Sequence, residues 1–373
     1  MPLSIFIDAL PYNEMKLNYS NWFDNIQISE MLPNIAYSSS LHWQLYCNKY
    51  PDDRGVFVDW VKEKEPKKSV RFLSTILRPL ECFDKLSVIS KKVLDRKIYR
   101  KNTFANIPYR FRNEFTEKSK YLFWNKKIYG QEPIFDGYTV ISQDEGHLSF
   151  DETVSKLNAS IEDGNKNIFL VLSFADALGH LCRRGEKYSA RLKPYMAELK
   201  TLLDKYLTIN PKESILIVSD HGMSTVNKKI DLQLGKHFGK QTKKTYIAYS
   251  DSAIMCFFIE DKKLIEPIKE YLLTREEGHL LTEDDRAFYK VTDRKFGDLI
   301  YILKEGNVFA NNWFGKSLKK PNPDGSGMHG FWPEWTSYDQ NATVILINGE
   351  EKLEEKYIYP SAHQLIKRVM GKE

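Results

Sequence analysis

The chain has 373 residues, of which 42% are hydrophobic and 28% charged, and its formal net charge is +5. This composition argues against a disordered polypeptide, and the length allows one large domain with insertions or two domains. No stretch approaches the roughly 20 apolar residues of a membrane span, and the apolar run at the N-terminus lacks a basic leader and a cleavage site. The four cysteines show no paired spacing, which favours a reducing compartment. We therefore expect a cytoplasmic protein, with a peripheral position at the membrane as an alternative.

The first part of the chain predicts a buried strand over 3–7, which ends at Asp8. A loop containing prolines and serines follows, and residues 38–40 lie near a helix start because hydroxyl side chains favour helix caps. The passage ends in Tyr-Pro-Asp-Asp-Arg-Gly over 50–55, a composition typical of a turn.

The segment 61–130 is strongly basic, with 19 Lys and Arg against 7 Asp and Glu, and it is rich in aromatic residues. Its apolar spacing favours helices, so we predict a basic helical insertion over 61–134. Such charge asymmetry suggests an anionic glycan or an anionic membrane surface as a partner, although a solvated lysine-rich surface is an equal alternative. Nothing in the sequence indicates a protein partner.

The remaining elements alternate between strands and helices. Apolar runs over 167–174 and 214–218 predict buried strands, and 188–206 between them has the spacing of an amphipathic helix. This alternation predicts an α/β fold with a mostly parallel central sheet flanked by helices. Residues 251–319 have the pattern of a small α+β cap subdomain, and a last strand is predicted over 342–347.

Four separate segments carry side chains of the types that bind metal ions, each after an apolar strand or in a glycine loop. They are Asp8, Asp176 with His180, Asp220 with His221, and His329. Each is a weak signal alone, because such residues are common in turns and on helix faces. Ligands gather at the carboxyl ends of strands in parallel sheets, so the segments can share one site. Three carboxylates and three imidazoles are enough for two zinc-like ions.

The motifs Asp176-Ala-Leu-Gly-His180, Val218-Ser-Asp-His-Gly-Met223 and Met328-His-Gly330, in this order after Asp8, resemble the alkaline phosphatase superfamily. The most similar branch is the type I phosphodiesterase / nucleotide pyrophosphatase family, and the resemblance covers roughly 1–60 and 135–373. It implies an alkaline-phosphatase-like fold. It also implies two divalent metal ions, Zn²⁺ or alternatively Mn²⁺. One would be held by Asp176, His180 and His329, and the other by Asp8, Asp220, His221 and Ser38.

The resemblance also places a nucleophile in this chain. Aligning the family's turn motif with residues 50–55 puts its threonine nucleophile on Ser38 and a histidine that follows it on His42. The chain has three consecutive serines where the family carries Thr followed by a Phe-Pro-Asn-like run, so Ser39 and Ser40 remain alternative nucleophiles.

The predicted substrate contacts are His42, Asp59 and Trp60. The family often has a phosphate-binding asparagine just after the turn, and Asp59 corresponds to it. A carboxylate there would repel a phosphate oxygen unless it is protonated, turned away or paired with a substrate cation.

Taken together, the resemblance implies a two-metal hydrolase that cleaves a phosphodiester or pyrophosphate bond of a nucleotide-type small molecule through a phospho-serine intermediate. A phosphomonoesterase or phosphomutase of the superfamily is one alternative, and a non-catalytic glycan- or lipid-binding protein on this scaffold is another. A sulfatase is disfavoured because the chain lacks a Cys or Ser followed by x-Pro-x-Arg. The catalytic core is assigned to 1–60, 135–250 and 320–373.

Overall fold

The computed structural model describes most of the chain. The described residues are 3–63, 72, 75–76, 79, 105–107, 111, 114–118, 122–123, 132–143, 148–182, 184–309, 327–333 and 339–372. The predicted helical insertion over 61–134 therefore lies mostly outside the described residues.

The strands are short and spread along the whole chain. They are β1 (Leu3–Ile7), β2 (Ile26–Met31), β3 (Trp60–Lys62), β4 (Ala105–Asn106), β5 (Phe115–Glu117), β6 (Thr139–Ser142), β7 (Ile168–Leu172), β8 (Ile215–Val218), β9 (Ser224–Thr225), β10 (Lys228–Ile230), β11 (Tyr246–Asp251), β12 (Ile254–Ile259), β13 (Gly278–Leu280), β14 (Leu299–Leu303), β15 (Asn307–Phe309), β16 (Gly327–Met328), β17 (Ala342–Ile347) and β18 (Lys356–Tyr357).

The helices lie mainly between these strands. They are α1 (Tyr12–Asn18), α2 (Ser38–Cys47), α3 (Pro51–Arg54), α4 (Phe150–Glu162), α5 (Phe174–Leu181), α6 (Glu186–Ile209), α7 (Leu234–Phe238), α8 (Ile265–Leu273), α9 (Glu283–Phe288) and α10 (Tyr359–Val369), with 3₁₀ turns at Lys262–Leu264 and Arg294–Phe296. Within the described ranges, no helix is both long and apolar enough to cross a lipid bilayer.

The central sheet has seven strands in the order β18-β2-β17-β8-β1-β7-β6. Strands β6, β7, β1 and β8 are parallel, whereas β17 runs antiparallel to both β8 and β2. All residues of β1, β7 and β8 are buried, as expected for parallel strands with both faces covered.

Alternate side chains of β1 enter two different hydrophobic clusters. Leu3, Ile5 and Ile7 pack on the face covered by α4 and α6, and Phe6 packs on the face covered by α2 and α10. The predicted α/β class with a mostly parallel sheet flanked by helices is thereby confirmed.

A second sheet of five antiparallel strands, in the order β13-β14-β12-β11-β4, has its own hydrophobic cluster. Four of its strands follow one another from Tyr246 onward, which is upstream of the cap boundary predicted at 251. The fifth strand, β4, lies at the edge of the sheet and comes from the basic segment. The division into core, insertion and cap stays a prediction.

Strand β2 was not among the predicted strands. Its sequence Ile-Gln-Ile-Ser-Glu-Met has few consecutive apolar residues, and only its last three residues are buried. The strand forms because all six of its residues pair with the antiparallel strand β17, with Ala342 opposite Met31 and Ile347 opposite Ile26.

Candidate metal centre and active site

Three neighbouring strands of the central sheet end at the same edge. Strand β1 lies between β7 and β8, with Ile7 opposite Leu172 and Phe6 opposite Val218. The segments that leave these strands therefore emerge side by side. They carry Asp8 after β1, Asp176 and His180 on α5 after β7, and Asp220 and His221 after β8.

The fourth segment, with His329, reaches this edge through a short antiparallel ladder. Strand β16 pairs with β9, which begins three residues after His221, and Met328 lies opposite Ser224. The imidazole rings of His221 and His329 stack with their centroids 3.7 Å apart and their planes 12° apart.

The first metal-binding group consists of Asp176, His180 and His329. Nδ1 of His180 lies 3.0 Å from the carbonyl oxygen of Gly327. A carbonyl only accepts hydrogen bonds, so Nδ1 carries the proton in the neutral ring and Nε2 carries a lone pair. This Nε2 lies 3.2 Å from Oδ1 of Asp176, and Nε2 of His329 lies 3.8 Å from the same oxygen.

The second group consists of Asp8, Asp220 and His221. Nδ1 of His221 lies 2.8 Å from the carbonyl oxygen of Gly222, which again leaves the lone pair on Nε2. This nitrogen lies 3.6 Å from Oδ1 of Asp8 and 3.4 Å from Oδ2 of Asp220. The hydroxyl oxygen of Ser38 lies 3.0 Å from His221 Nε2 and 3.4 Å from Asp8 Oδ1.

Both groups fit a divalent cation. In each group an imidazole lone pair faces a carboxylate oxygen, which is repulsive unless a proton or a cation lies between them. Within the described part of the chain, Oδ1 of Asp176 and Oδ2 of Asp220 are buried and receive no well-formed hydrogen bond. Imidazole and carboxylate donors suit zinc, and the glycine carbonyls that orient the two rings are outer-shell partners typical of metal sites.

The electrostatics of the groups favour the protonation states that metal ligands require. Burial opposes the charge of Asp220, but the imidazoles of His221 and His42 hold the pKa of that carboxyl below its usual value. Burial, followed by the neighbouring His221, keeps the pKa of His329 well below that of an ordinary histidine. At neutral pH the Asp220 carboxylate is therefore ionised and the His329 ring is neutral.

Of the three consecutive serines, the structure brings only Ser38 to a metal-binding group. Ser38 begins α2, whose N-cap residue Tyr37 makes no side-chain cap. The N–H of Ser40 donates to the Tyr37 carbonyl oxygen, so an anion would meet the N–H groups of Ser38 and Ser39. Ser39 Oγ instead donates to Oδ1 of Asp59 at 2.8 Å. Ser40 Oγ is fully buried and has no hydrogen-bond partner among the described residues.

His42 lies behind the second group and not on an open surface. Its Nε2 is 3.6 Å from Oδ2 of Asp220, and its ring packs on those of Phe6 and Phe123. This position suits orientation of the Asp220 carboxylate. The predicted substrate contact of His42 stays a prediction.

Trp60 and Asp59 have different surroundings although they are neighbours in sequence. Trp60 is 3% exposed in β3, and its carbonyl oxygen accepts a 2.7 Å hydrogen bond from Tyr249, which places it in the hydrophobic core. Asp59 is half-buried beside the first turn of α2. Both predicted substrate contacts stay predictions, and the packing of Trp60 gives it a structural role.

Several residues that hold the ligands were not found by sequence reasoning. The carbonyl oxygens of Gly222 and Gly327 fix two imidazole rings, and the Tyr359 hydroxyl donates to the carbonyl oxygen of Asp220. Gly222 stands in the recognised motif Val218–Met223, and Gly327 directly precedes Met328-His-Gly330; these positions were their only signal. Tyr359 lies 139 positions from Asp220, and no local pattern marks it.

Comparison with solved structures finds matches over the full length of the chain. Murine ectonucleotide pyrophosphatase / phosphodiesterase 5 (ENPP5, NPP5) aligns with a TM-score of 0.59 at 12% identity, and the human protein with 0.61 at 14%. An inactive variant of the murine protein in complex with AMP aligns with 0.58 at 12%. Each alignment covers 100% of this chain and 95% of the other. The chain shares this fold.

The resemblance to the alkaline phosphatase superfamily that the motifs predicted is thus confirmed at the level of the fold. No protein-family profile and no curated protein sequence matches the chain. Function is therefore argued from the residues of this site.

Replacing Gly179 by Ala is expected to disturb the first metal-binding group. A Cβ at this position would lie 2.5 Å from Cγ of Met223, and a Cβ built on Gly327 would lie 2.4 Å from the carbonyl oxygen of Gly179. The clash pushes α5, which carries His180, away from Met223, so we expect zinc affinity to fall at least about tenfold and stability by about 1–3 kcal/mol. Zinc titration and thermal unfolding would measure both.

Gly235 provides the matched control for this substitution. It lies in α7, and no described atom comes within 4 Å of a Cβ built there. Gly235→Ala should leave zinc binding unchanged and be neutral or stabilising by up to about 1 kcal/mol. Equal zinc affinity in the Gly179→Ala and Gly235→Ala variants would contradict the proposed role of the close approach.

Proposed function

We propose that this protein is a two-metal hydrolase that cleaves a phosphodiester or pyrophosphate bond with Ser38 as its nucleophile. The observation that carries the proposal is the position of the Ser38 hydroxyl, 3.0 Å from His221 and 3.4 Å from Asp8 in a buried group of metal-ligand type. A serine hydroxyl is a weak nucleophile at neutral pH and needs activation of this kind.

The residues of the chain would divide the reaction between them. Two bound divalent cations would supply Lewis acidity for the attacking and leaving oxygens of an in-line displacement. Asp8, Asp220, His221 and Ser38 would hold one cation, and Asp176, His180 and His329 the other. Ser38 Oγ attacks phosphorus, the leaving group departs, and water then hydrolyses the phospho-serine. The uncapped N-terminus of α2 offers its N–H groups to the phosphoryl oxygens.

The proposed substrate is a nucleotide-type molecule with a diester or pyrophosphate linkage. Supporting this proposal, a murine protein of the same fold has been seen in complex with AMP. A phosphomonoesterase or phosphomutase would use the same ligand groups and is the alternative within the enzyme class. A non-catalytic binding protein is less well supported, because both ligand groups are complete in this chain.

The proposal predicts turnover of a diester by the zinc-loaded protein. Bis-p-nitrophenyl phosphate should be hydrolysed faster than p-nitrophenyl phosphate, and a panel of nucleotide sugars, dinucleotides and glycerophosphodiesters would then identify the leaving group. Removal of the metal by a chelator should abolish turnover and zinc should restore it. Absence of bound metal together with no turnover of either ester would contradict the proposal.

The basic segment is proposed to meet an anionic surface, either a glycan or a membrane. The charge pattern of 61–130 supports this proposal. The cytoplasmic location likewise stays a prediction from cysteine usage and composition.

A further inference from the structure

A pocket of about 440 Å³, measured to its open mouth, lies between the end of α9 and the start of α10. The residues that follow β2 and the N-cap residue of α3 complete its walls. None of its described lining residues is a member of a metal-binding group or one of the three consecutive serines. The pocket is therefore separate from the proposed catalytic centre, and its volume is typical of sites that bind small molecules.

The described walls of this pocket are largely aromatic. Four aromatic residues line it, namely Tyr50, Phe288, Tyr289 and Tyr359. Phe288 is 61% exposed and the lining residue Ile358 is 41% exposed, so apolar side chains at the pocket remain in contact with water. An aromatic ligand would bury this surface and gain edge-to-face or stacked contacts that an alkyl chain does not make.

Two features of the pocket favour a negative charge on the ligand. Lys290 is the charged residue among the described lining residues, and its ammonium group lies 4.0 Å from the centroid of the Tyr50 ring. The first residues of α10 line the pocket as well, and the N-cap residue Ile358 makes no side-chain cap. The dipole at a helix N-terminus attracts negative charge, as the ammonium group does.

Tyr50 adds a hydrogen-bond donor for such a ligand. It is 3% exposed, and its hydroxyl makes no hydrogen bond within the described part of the chain. Burial raises the pKa of Tyr50 to about 12, so the hydroxyl is protonated at neutral pH. The neighbouring carboxylates already bind backbone N–H groups, since Asp53 accepts from Tyr50 and Asp52 from Thr292. A ligand that accepts from the Tyr50 hydroxyl would remove the free-energy cost of leaving it unpaired.

One residue of the pocket also contacts a metal-binding group. Tyr359 lines the pocket, and its hydroxyl donates to the carbonyl oxygen of Asp220. A ligand packed against Tyr359 would restrict the ring and so preserve this hydrogen bond, which orients the backbone of Asp220. Binding at the pocket and binding of zinc would then strengthen each other by the same factor.

We propose that this pocket binds a small aromatic carboxylate and that its occupation strengthens zinc binding at the group of Asp8, Asp220 and His221. The aromatic body lies against the tyrosine and phenylalanine walls, and the carboxylate lies at Lys290 and the Tyr50 hydroxyl. This inference goes beyond the proposed hydrolase activity, because the site can be tested on the metal-free protein without any turnover.

The first experiment uses phenylbutyrate as the probe and its uncharged amide, phenylbutyramide, as the comparison ligand. Calorimetry on the metal-free full chain should give a dissociation constant below about 1 mM for the carboxylate. The amide should bind about fivefold more weakly, because it lacks the charge that pairs with an exposed ammonium group. Octanoate should also bind more weakly than phenylbutyrate. Tighter binding of the amide or of octanoate would overturn the proposed ligand class.

Three variants test the position of the ligand. Ile358→Trp should abolish binding because the larger side chain fills the pocket from a partly exposed position. Lys290→Gln should weaken binding about fivefold, and Tyr50→Phe about two- to tenfold. Tyr50→Phe should not lower the Tm of the ligand-free protein, since the lost hydroxyl is unpaired. The matched control is Lys236→Gln on α7, which replaces an exposed lysine outside the described lining and should bind like wild type.

Zinc titrations with and without phenylbutyrate test the coupling. The ligand should raise the zinc affinity of wild type about fivefold and leave that of Ile358→Trp unchanged. Unchanged zinc affinity in wild type with bound ligand would overturn the coupling. Binding that requires zinc and persists in Ile358→Trp would place the ligand at the metal centre and overturn the pocket site. Absence of binding to metal-free wild type at about 5 mM ligand would overturn it as well.

Discussion

Replacing Ser38 by Ala is expected to abolish hydrolysis of phosphodiesters while both metal-binding groups keep their ions. The hydroxyl of Ser38 is the only group lost, and its loss removes the atom that would bond to phosphorus. A covalent route has no substitute for its nucleophile, so we expect kcat to fall by about 10⁴-fold or more. Steady-state kinetics and metal analysis of the same preparation measure the two effects separately.

The neighbouring serines provide the controls for this prediction. Ser39 donates to Asp59, and the buried hydroxyl of Ser40 makes no hydrogen bond within the described part of the chain. Ser39→Ala and Ser40→Ala should therefore keep kcat within about tenfold of wild type. Loss of activity in one of these variants, with Ser38→Ala active, would show that another serine is the nucleophile. An acid-stable phospho-serine trapped with substrate would identify the residue directly.

The strands and most candidate ligands could be predicted because their signals are local. A buried parallel strand is a continuous apolar run, and β1, β7 and β8 each end shortly before a carboxylate or an imidazole. The rule that parallel strands present their carboxyl ends at one edge then brings distant segments together without any knowledge of contacts. The candidate ligand groups of the structure contain the six Asp and His side chains that the motifs had singled out.

The features that sequence reasoning missed depend on long-range contacts. Strand β2 is half polar and is stabilised by pairing with β17, more than 300 positions away. The close approach of Gly179 and Gly327 follows from the packing of α5 on β16. The sequence of neither segment indicates that it contacts the other.

The surroundings of the predicted substrate contacts could not be predicted from the sequence either. Trp60 stands beside Asp59 in the chain, but its side chain enters the core while Asp59 faces the first turn of α2. His42 was placed by a motif, whereas its position behind Asp220 depends on how α2 packs over the end of β8. Side-chain direction at such positions is decided by tertiary packing.

Replacing either Asp176 or Asp220 by Asn is expected to remove one of the two zinc ions. Asn keeps the size of the side chain, and Oδ1 of residue 220 could still accept from the backbone N–H groups of Ala9 and His221, so the variant should fold. The lost negative charge lowers zinc affinity at that group by about 100-fold or more, with a comparable loss of turnover. Metal analysis after desalting should give two ions for wild type and one for each variant.

Thermal unfolding provides an independent measurement. An ion that binds only the folded state stabilises it by about 4 kcal/mol at a free concentration of about 1,000 times its dissociation constant. Each variant should therefore lose part of the zinc-dependent rise in Tm. The control is Asp204→Asn on the surface of α6, where an exposed carboxylate pairs with Lys200 and its loss should cost less than about 1 kcal/mol.

The double variant distinguishes two separate sites from one coupled centre. The stacked rings of His221 and His329 belong to different groups, so an ion lost from one group removes support from a ring of the other. We therefore expect the zinc affinity of the remaining group to fall by a few-fold in each single variant, and the losses in Tm to be non-additive in the double variant. Strictly additive losses in Tm would mean that the stacked rings do not couple zinc binding at the two groups. Retention of two ions by either single variant would contradict the assignment of that carboxylate as a ligand.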